Sequence, residues 1–361
     1  MGQVCIITIC NGSNFGNRLQ NYALQEAVRL NTCNNVVTVK NLAGEVGGGI
    51  FQFDVVYKVL QNDILSKAIL RFVQHPKIRK KIKFIQFNKR YILWSKEVVN
   101  GETIPNNFAD SYDYFITGSD QVWNLEIPFI SSLEFLCFAP ASKKISYAAS
   151  FGVCEFSADK QKIIEDRLTD FTDISVRENS ALNILEKAGK RNVRVLVDPT
   201  MLLSTVQWEQ IESEPEFRVD WEKYILVYIL EEDKTDVMDR VERIASEKNW
   251  KVIDIYDPDQ YQYYGIGPGE FVYLIHHAAY VFTNSFHATV FSILFHKQFS
   301  VYNREGLNTR ISTLLQMLNI EKAVGKEMMK AVEWEQVEKI IEEQKQIALN
   351  YLKERIGIVN Q

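Results

Sequence analysis

Cysteine is scarce in this chain and does not pair. Cys5, Cys10, Cys33, Cys137 and Cys154 are odd in number and form no C-x-x-C, which excludes a disulfide framework and a zinc ribbon and fits a reducing compartment. A cationic excess is also missing: the net charge is −5, where nucleic-acid binders run basic, so no nucleic acid is expected as a partner. No apolar stretch approaches the roughly 20 residues of a membrane span. The first residues lack the charged region and cleavage site of a secretory signal, and Ile6 stands where a myristoylation motif wants Ser or Thr. A cytoplasmic location is therefore expected. No metal-ligand cluster is visible along the chain.

What remains is an ordinary globular composition, 46% apolar and 24% charged over 361 residues, too long for one core and suited to two domains. The chain opens with a β-branched run, Val4–Ile9, then a turn-rich loop from Asn11 to Asn17 containing Asn14, Gly16 and Asn17. A helical pattern follows in which Leu19, Tyr22, Ala23, Ala27 and Leu30 share a face, and Val36–Val39 reads as the next strand. This is the start of a doubly wound sheet. The loop lacks the G-x-G-x-x-G fingerprint and the P-loop lysine, although glycine and asparagine there would let a ligand approach the backbone.

Residues 41–54 form a loop with Gly47-Gly48-Gly49, read as lid or linker. Residues 55–95 read as a helical insertion. Within it Lys77, Arg79, Lys80, Lys81, Lys83, Lys89 and Arg90 surround Ile78, Ile82 and Ile85 at helical spacing. Such a helix can lie on an anionic membrane, giving peripheral contact through 77–90, or can show a solvated face with its stripe in the core.

Tyr112–Thr117 reads as a strand, followed by a second candidate ligand turn, Gly118-Ser119-Asp120-Gln121-Val122-Trp123-Asn124. Arg177 stands at a later strand-to-helix junction, where a planar guanidinium suits a carboxylate or phosphate, or else a salt bridge. Past Asp198-Pro199 the alternation of strands and helices restarts. The expected fold is thus α/β, with two Rossmann-like domains at 1–197 and 198–361 facing across a cleft and a hinge near Asp198-Pro199. In the second domain Tyr280–Thr283 reads as a buried strand. Asn284 and Ser285 are N-cap residues, and the apolar run Val290–Phe295 reads as a buried helix. His287 falls in the first helical turn, where free N–H groups attract anions and an imidazole can exchange protons near neutral pH. A long charged helix at 333–356 could span both domains.

These stretches resemble the polysaccharide pyruvyltransferase family. The matching segments are Asn14-Phe-Gly-Asn17, Gly118-Ser-Asp-Gln-Val-Trp123, Ser146-Tyr-Ala-Ala-Ser-Phe-Gly152, Ile174-Ser-Val-Arg177, Asp198-Pro-Thr200, Thr283-Asn-Ser-Phe-His287 and Asn308-Thr-Arg-Ile311, in that order. Ala288 departs from the glycine the family often carries after the histidine. The resemblance implies a glycosyltransferase-B-like fold. It also implies transfer of a carboxyethyl unit from phosphoenolpyruvate to sugar hydroxyls, as a pyruvate ketal on a polysaccharide or lipid-linked oligosaccharide, in cell-surface glycan, exopolysaccharide or capsule biosynthesis at the inner face of the membrane.

A donor with a phosphate and a carboxylate needs cations and N–H groups from more than one direction. Arg177, Asn284, Ser285 and Arg310 are the donor-binding candidates. His287 is the candidate general acid–base and Asp120 a second proton acceptor. Asn14, Gly16, Asn17, Gly118, Ser119 and Trp123 belong to acceptor or donor loops. No step requires a metal or a bound cofactor. Two other functions suit the same fold: a glycosyltransferase using a nucleotide-sugar donor, with Asp254, Asp257 or Asp259 holding the ribose, and a non-catalytic binding protein of a glycan pathway.

Overall fold

The computed structural model describes all residues except 1, 11, 33, 44–61, 102, 218–222, 232–233, 303–308, 322–331 and 358–361. The Gly47-Gly48-Gly49 loop, the start of the 55–95 insertion, Asn11 and Asn308 lie outside the described residues.

Eleven described strands make two parallel sheets. The first contains β1 (Gln3–Ile7), β2 (Asn35–Asn41), β3 (Trp94–Val99), β4 (Tyr114–Asp120), β5 (Lys144–Ala149), β6 (Ile174–Val176) and β7 (Val193–Val195), in the order β3-β2-β1-β4-β5-β6-β7. The second contains β8 (Tyr224–Tyr228), β9 (Lys251–Asp254), β10 (Tyr280–Thr283) and β11 (Phe299–Val301), in the order β11-β10-β8-β9. Helices cover both faces, so the central strands are continuous apolar runs. Four of five residues of β1 and all of β8 and β10 are buried. This is the expected α/β arrangement of two Rossmann-like parallel sheets, with a cleft lined by both halves.

In the first sheet the order reverses between β1 and β4, which hydrogen-bond each other in register Ile7↔Thr117. Connections leave that point in opposite directions and open a crevice at the strands' carboxyl ends. The loop before the helix Phe15–Thr32 and the end of β4 both face it.

A continuous core joins the halves. Phe15, the first residue of its helix, is fully buried; it stacks on Phe271 at 4.6 Å and packs on Phe84 at 5.5 Å and Tyr228 at 5.8 Å. Burying one such side chain contributes roughly 1.5–3 kcal/mol. The junction at Asp198–Leu203 is buried throughout. Asp198 caps the short turn that follows by accepting from the Thr200 N–H at 3.0 Å.

Among the described residues the helical insertion contains the helices Asp63–Phe72 and Pro76–Tyr91, after which β3 joins the sheet edge beside β2. The second helix turns its apolar stripe inward, burying Ile82, Phe84, Ile85 and Phe87. Lys83 reaches Glu270 at 2.6 Å and Arg79 pairs with Glu216, tying it to the second half. The long helix Trp334–Ile356 starts beside His296 of the second half, whose ring stacks on Trp334 at 4.8 Å. It ends on the first sheet, where the Tyr351 hydroxyl donates to the Ser146 carbonyl at 2.9 Å and Arg355 pairs with Asp173. The chain therefore crosses back, and the last turns of this helix complete the first domain.

Candidate active site

The crevice contains a cavity of about 340 Å³ walled by both halves. Asn14, Asn17 and Asp120 come from the first half; Asn284, Ser285, His287 and Arg310 come from the second. Each follows from its local sequence. Ser285 caps the helix Phe286–Leu294 by accepting from the Ala288 N–H. Asn284 Oδ1 accepts from the Leu230 N–H at 2.8 Å, which pins the end of β10 to the chain leaving β8. Asn14 Oδ1 accepts from the Asn17 N–H at 3.2 Å in the turn that starts the helix Phe15–Thr32. His287 thus sits in the first turn of a nine-residue helix, with unspent N–H groups beside it.

Gly16 serves His287 rather than leaving room for a ligand at the backbone. A Cβ on Gly16 would lie 2.6 Å from both Cγ and Cε1 of the His287 ring, and closer still to Nδ1. The imidazole of one half is therefore seated on bare backbone of the other.

Beneath the cavity runs a chain of charges. Asp198 Oδ1 accepts from the Thr200 hydroxyl at 2.7 Å; Oδ2 accepts from Arg177 Nη1 at 2.6 Å and from the Ser119 hydroxyl at 3.2 Å. His287 Nε2 lies 3.7 Å from the same Oδ2, beyond hydrogen-bond length but well within ion-pair reach. Arg177 Nη2 donates to Asp120 Oδ1 at 3.2 Å, and Arg310 Nη1 stands 3.9 Å from that oxygen. The Phe286 ring covers the Arg177 guanidinium at 4.5 Å.

Burial alone would raise the Asp198 carboxyl, but His287 and Arg177 hold it well below the usual carboxylate range. Burial likewise opposes the Arg177 charge, yet Asp198, Asp120 and Glu178 leave its guanidinium above its ordinary value. Arg310 shifts the other way: burial lowers it, and the neighbouring Arg177 cation adds to the effect. Its Nε has no hydrogen-bond partner. The Nε of Arg177 is likewise unpartnered, but its two terminal nitrogens meet carboxylates at 2.6 and 3.2 Å, whereas Arg310 lines the cavity with its nearest carboxylate oxygen at 3.9 Å.

The remaining sequence candidates fall outside the lining. Gly118, Ser119 and Asp120 are not a turn after β4 but its last three residues, Asp120 pairing with Ala149 of β5. Gly118 has φ +119°, and a side chain there would strike the Tyr147 carbonyl oxygen. Ser119 faces Asp198 below the cavity. Trp123 is fully buried, its indole N–H donating to the Glu134 carbonyl at 3.1 Å; it packs the core beneath the loop. Arg177, read as a donor ligand, has both terminal nitrogens held by carboxylates. Asp198 is the group that residue-level reading passed over as a motif letter without a role. Its only signal was an acid placed directly after the strand-like run Val193–Val197.

The carboxylates of Asp254 and Asp257 are spent locally, and Asp259 is exposed. Asp254 pairs with Lys234 and accepts from the Tyr256 N–H at 3.0 Å; Asp257 accepts from the Asp259 N–H at 2.9 Å and from Gln260 at 3.1 Å. None lines the cavity. Among the described residues Glu212, His276 and His277 bring ligand-type atoms within 4.8 Å of one another, a grouping not apparent along the chain. It too lies outside the cavity lining.

Among solved structures the chain is similar to the S. aureus MnaA–UDP co-structure (11% identity, 95% of this chain and 88% of that one, TM-score 0.48). It is also similar to UDP-GlcNAc 2-epimerase from Neisseria meningitidis bound to UDP-GlcNAc (13% identity, 100% and 95%, TM-score 0.45). A third likeness is to Anabaena Alr3699/HepE in complex with UDP (12% identity, 99% and 96%, TM-score 0.41). No curated protein matches. The family model for polysaccharide pyruvyl transferase matches residues 14–306, a span holding Asn14, Asp120, Asp198 and His287. With most of its length so matched, the chain belongs to the polysaccharide pyruvyl transferase family.

Proposed function

We propose that the cavity binds phosphoenolpyruvate and transfers its three-carbon unit to a pair of hydroxyls on a sugar of a polysaccharide or lipid-linked oligosaccharide precursor. The observation that carries this reading is Arg310: a half-buried guanidinium in the cavity wall, 3.9 Å from its nearest carboxylate oxygen, in the same cavity as the N-terminus of the helix Phe286–Leu294. Two anion-seeking elements face one space from different directions, as a donor with a phosphate and a carboxylate requires. Asp120 and Asp198 neutralise Arg177 and hold the site together before the donor arrives.

His287 gives a proton to the methylene carbon of the enol while a sugar oxygen bonds to the adjacent carbon. The phosphate leaves from that carbon with its bonding electrons, and a second hydroxyl oxygen closes the ketal. Of the two hydroxyl protons released, one replaces the proton lost by His287 and the other leaves with phosphate. Asp120 accepts the proton of the attacking hydroxyl. Asn14 and Asn17 offer amides to the sugar. No residue of this scheme calls for a metal or a cofactor.

The test is mass spectrometry of lipid-linked oligosaccharides incubated with phosphoenolpyruvate, alongside thermal-shift titration with phosphoenolpyruvate and with UDP- and GDP-sugars. The expected result is a ketal adduct on the glycan and stabilisation by phosphoenolpyruvate alone. Stabilisation only by a nucleotide sugar, or full turnover by a folded His287→Gln protein, overturns the reading.

A further inference from the structure

Between Ile64 and Tyr91 the chain carries nine lysines and arginines and no aspartate or glutamate, in a protein whose net charge is −5. Part of this charge is used internally. Lys80 is buried over the Phe15 ring at 4.3 Å, Lys83 meets Glu270 at 2.6 Å, and Arg79 pairs with Glu216. Lys67, Arg71 and Lys77 face solvent.

The apolar residues here are divided in the same way. The helix Pro76–Tyr91 buries its stripe from Ile82 onward in the protein, which leaves Ile78 of its first turn exposed. The preceding helix Asp63–Phe72 does the reverse. It buries Leu70 and Ser66 but leaves Ile64 80% and Phe72 84% exposed. Ile64, Ala68 and Phe72 recur at i, i+4 and i+8, which aligns them in one outward row. Lys67 and Arg71 run alongside that row, and Ile78, 49% exposed, follows just beyond the turn with Lys77. Asn62 fixes the start of this helix by accepting from the Ile64 and Leu65 N–H groups, each at 3.1 Å.

An isoleucine and a phenylalanine so exposed would be a liability in water. Flanked by Lys67, Arg71 and Lys77, with Asp63 at the start of the helix its one acid, they match the interface of an anionic bilayer, with the apolar side chains among acyl chains and the cations among headgroups. A polynucleotide would complement the cations but not the apolar row.

We infer that the outward face of the helix Asp63–Phe72, together with Ile78 and Lys77, seats the protein on an anionic lipid surface. The contact is independent of donor chemistry and is measured without donor.

The experiment is co-sedimentation of the full chain with vesicles of phosphatidylcholine alone or mixed with phosphatidylglycerol. Wild type is expected to pellet with the mixed vesicles only, and less so as salt is raised. Each cation near such a surface contributes about fivefold to binding, so Lys67→Gln with Arg71→Gln should weaken it by about twenty-five-fold. Ile64→Ser with Phe72→Ser should abolish it. These side chains are exposed, and an unchanged thermal midpoint verifies folding. Wild type remaining in the supernatant with mixed vesicles overturns the inference. So does wild-type-like pelleting by both double variants, or an apolar-row variant that only dissolves a dimer in light scattering.

Discussion

Gly16→Ala tests whether the imidazole is held in place by the opposite domain. The added methyl would lie 2.6 Å from two His287 ring carbons, where carbon contacts settle at roughly 3.5–4 Å. The ring must retreat by about 1 Å or more, and His287 is buried against Phe286 and Asp198, so the retreat meets packed atoms. Overpacking of this kind costs about 1–3 kcal/mol of stability. A reacting group displaced by about 1 Å costs on the order of a hundredfold in turnover. The assay is phosphate release with acceptor present, paired with chemical denaturation. The decisive comparison is the same substitution in a His287→Ala background. There the clash is gone, and alanine replaces glycine within a helix, a change that stabilises by about 0.5–1 kcal/mol. Gly16→Ala should therefore destabilise the wild type and stabilise the His287→Ala protein. Destabilisation of equal size in both backgrounds would refute the seating of the ring on Gly16.

Asp198→Asn removes a carboxylate from buried Arg177 and should cost about 3 kcal/mol. Because the folded carboxyl is held below its ordinary value, its contribution is present above the unfolded pKa of about 3.9 and declines as pH falls further. Denaturation across pH should show a wild-type-to-variant gap that is constant near neutrality and narrows below about pH 4; a gap unchanged through the acid limb contradicts this. Arg310→Lys keeps the charge but loses the fork, and should raise KM for phosphoenolpyruvate about tenfold, the worth of one charge-assisted hydrogen bond. Arg177→Lys should instead lower the thermal midpoint, since its nitrogens serve Asp198 and Asp120. Asp254→Asn should leave transfer kinetics at the wild-type level, and a raised KM would restore the nucleotide-sugar alternative.

The turn from β10 into the helix Phe286–Leu294 was legible because its signals are local: the Ser285 cap and an apolar run fix the position of His287, although Asn284, also read as a cap, holds the Leu230 N–H instead. The parallel sheets were legible for a similar reason, as buried strands of β-branched residues alternate with helical patterns. Asp198 was not, because its partners are distributed along the chain: Ser119 lies 79 residues away and Arg177 21. Trp123 misled because an aromatic beside small polar residues looks the same whether it stacks on a ligand or seals a core. Gly16 misled in the same manner, its lack of a side chain admitting a protein ring where a ligand was expected. The strand β3 escaped notice because Trp94-Ser-Lys-Glu-Val-Val99 mixes charges with apolar residues, a pattern an edge strand tolerates and a sequence reader assigns to a helix or loop. The return of the helix Trp334–Ile356 to the first sheet depends on partners far apart along the chain, such as the Tyr351 hydroxyl and a carbonyl 205 residues away, and Arg355 and Asp173.

The distribution of charge among Asp198, Arg177, Asp120 and Arg310 explains how one site can be stable when empty and still prefer an anion. Buried cations without partners are costly, so a pocket lined only by arginines would loosen the fold. Here Asp198 is committed to Arg177 at 2.6 Å, and Asp120 is divided between Arg177 at 3.2 Å and Arg310 at 3.9 Å. The compensation weakens stepwise toward the cavity and leaves its deficit on Arg310, the one arginine among the described residues of the wall. A neutral sugar entering alone would strip water from that guanidinium without replacing its charge partner. On the proposed reading, an anionic donor supplies the missing partner first and thereby makes the cavity habitable for the acceptor. The order of binding then follows from the charge ladder: the donor should bind without acceptor, the acceptor should bind more tightly when phosphoenolpyruvate is present, and by linkage the acceptor should tighten donor binding by the same factor. Acceptor binding of equal strength with and without the donor would show that Arg310 is satisfied by the protein and that the ladder does not set the order.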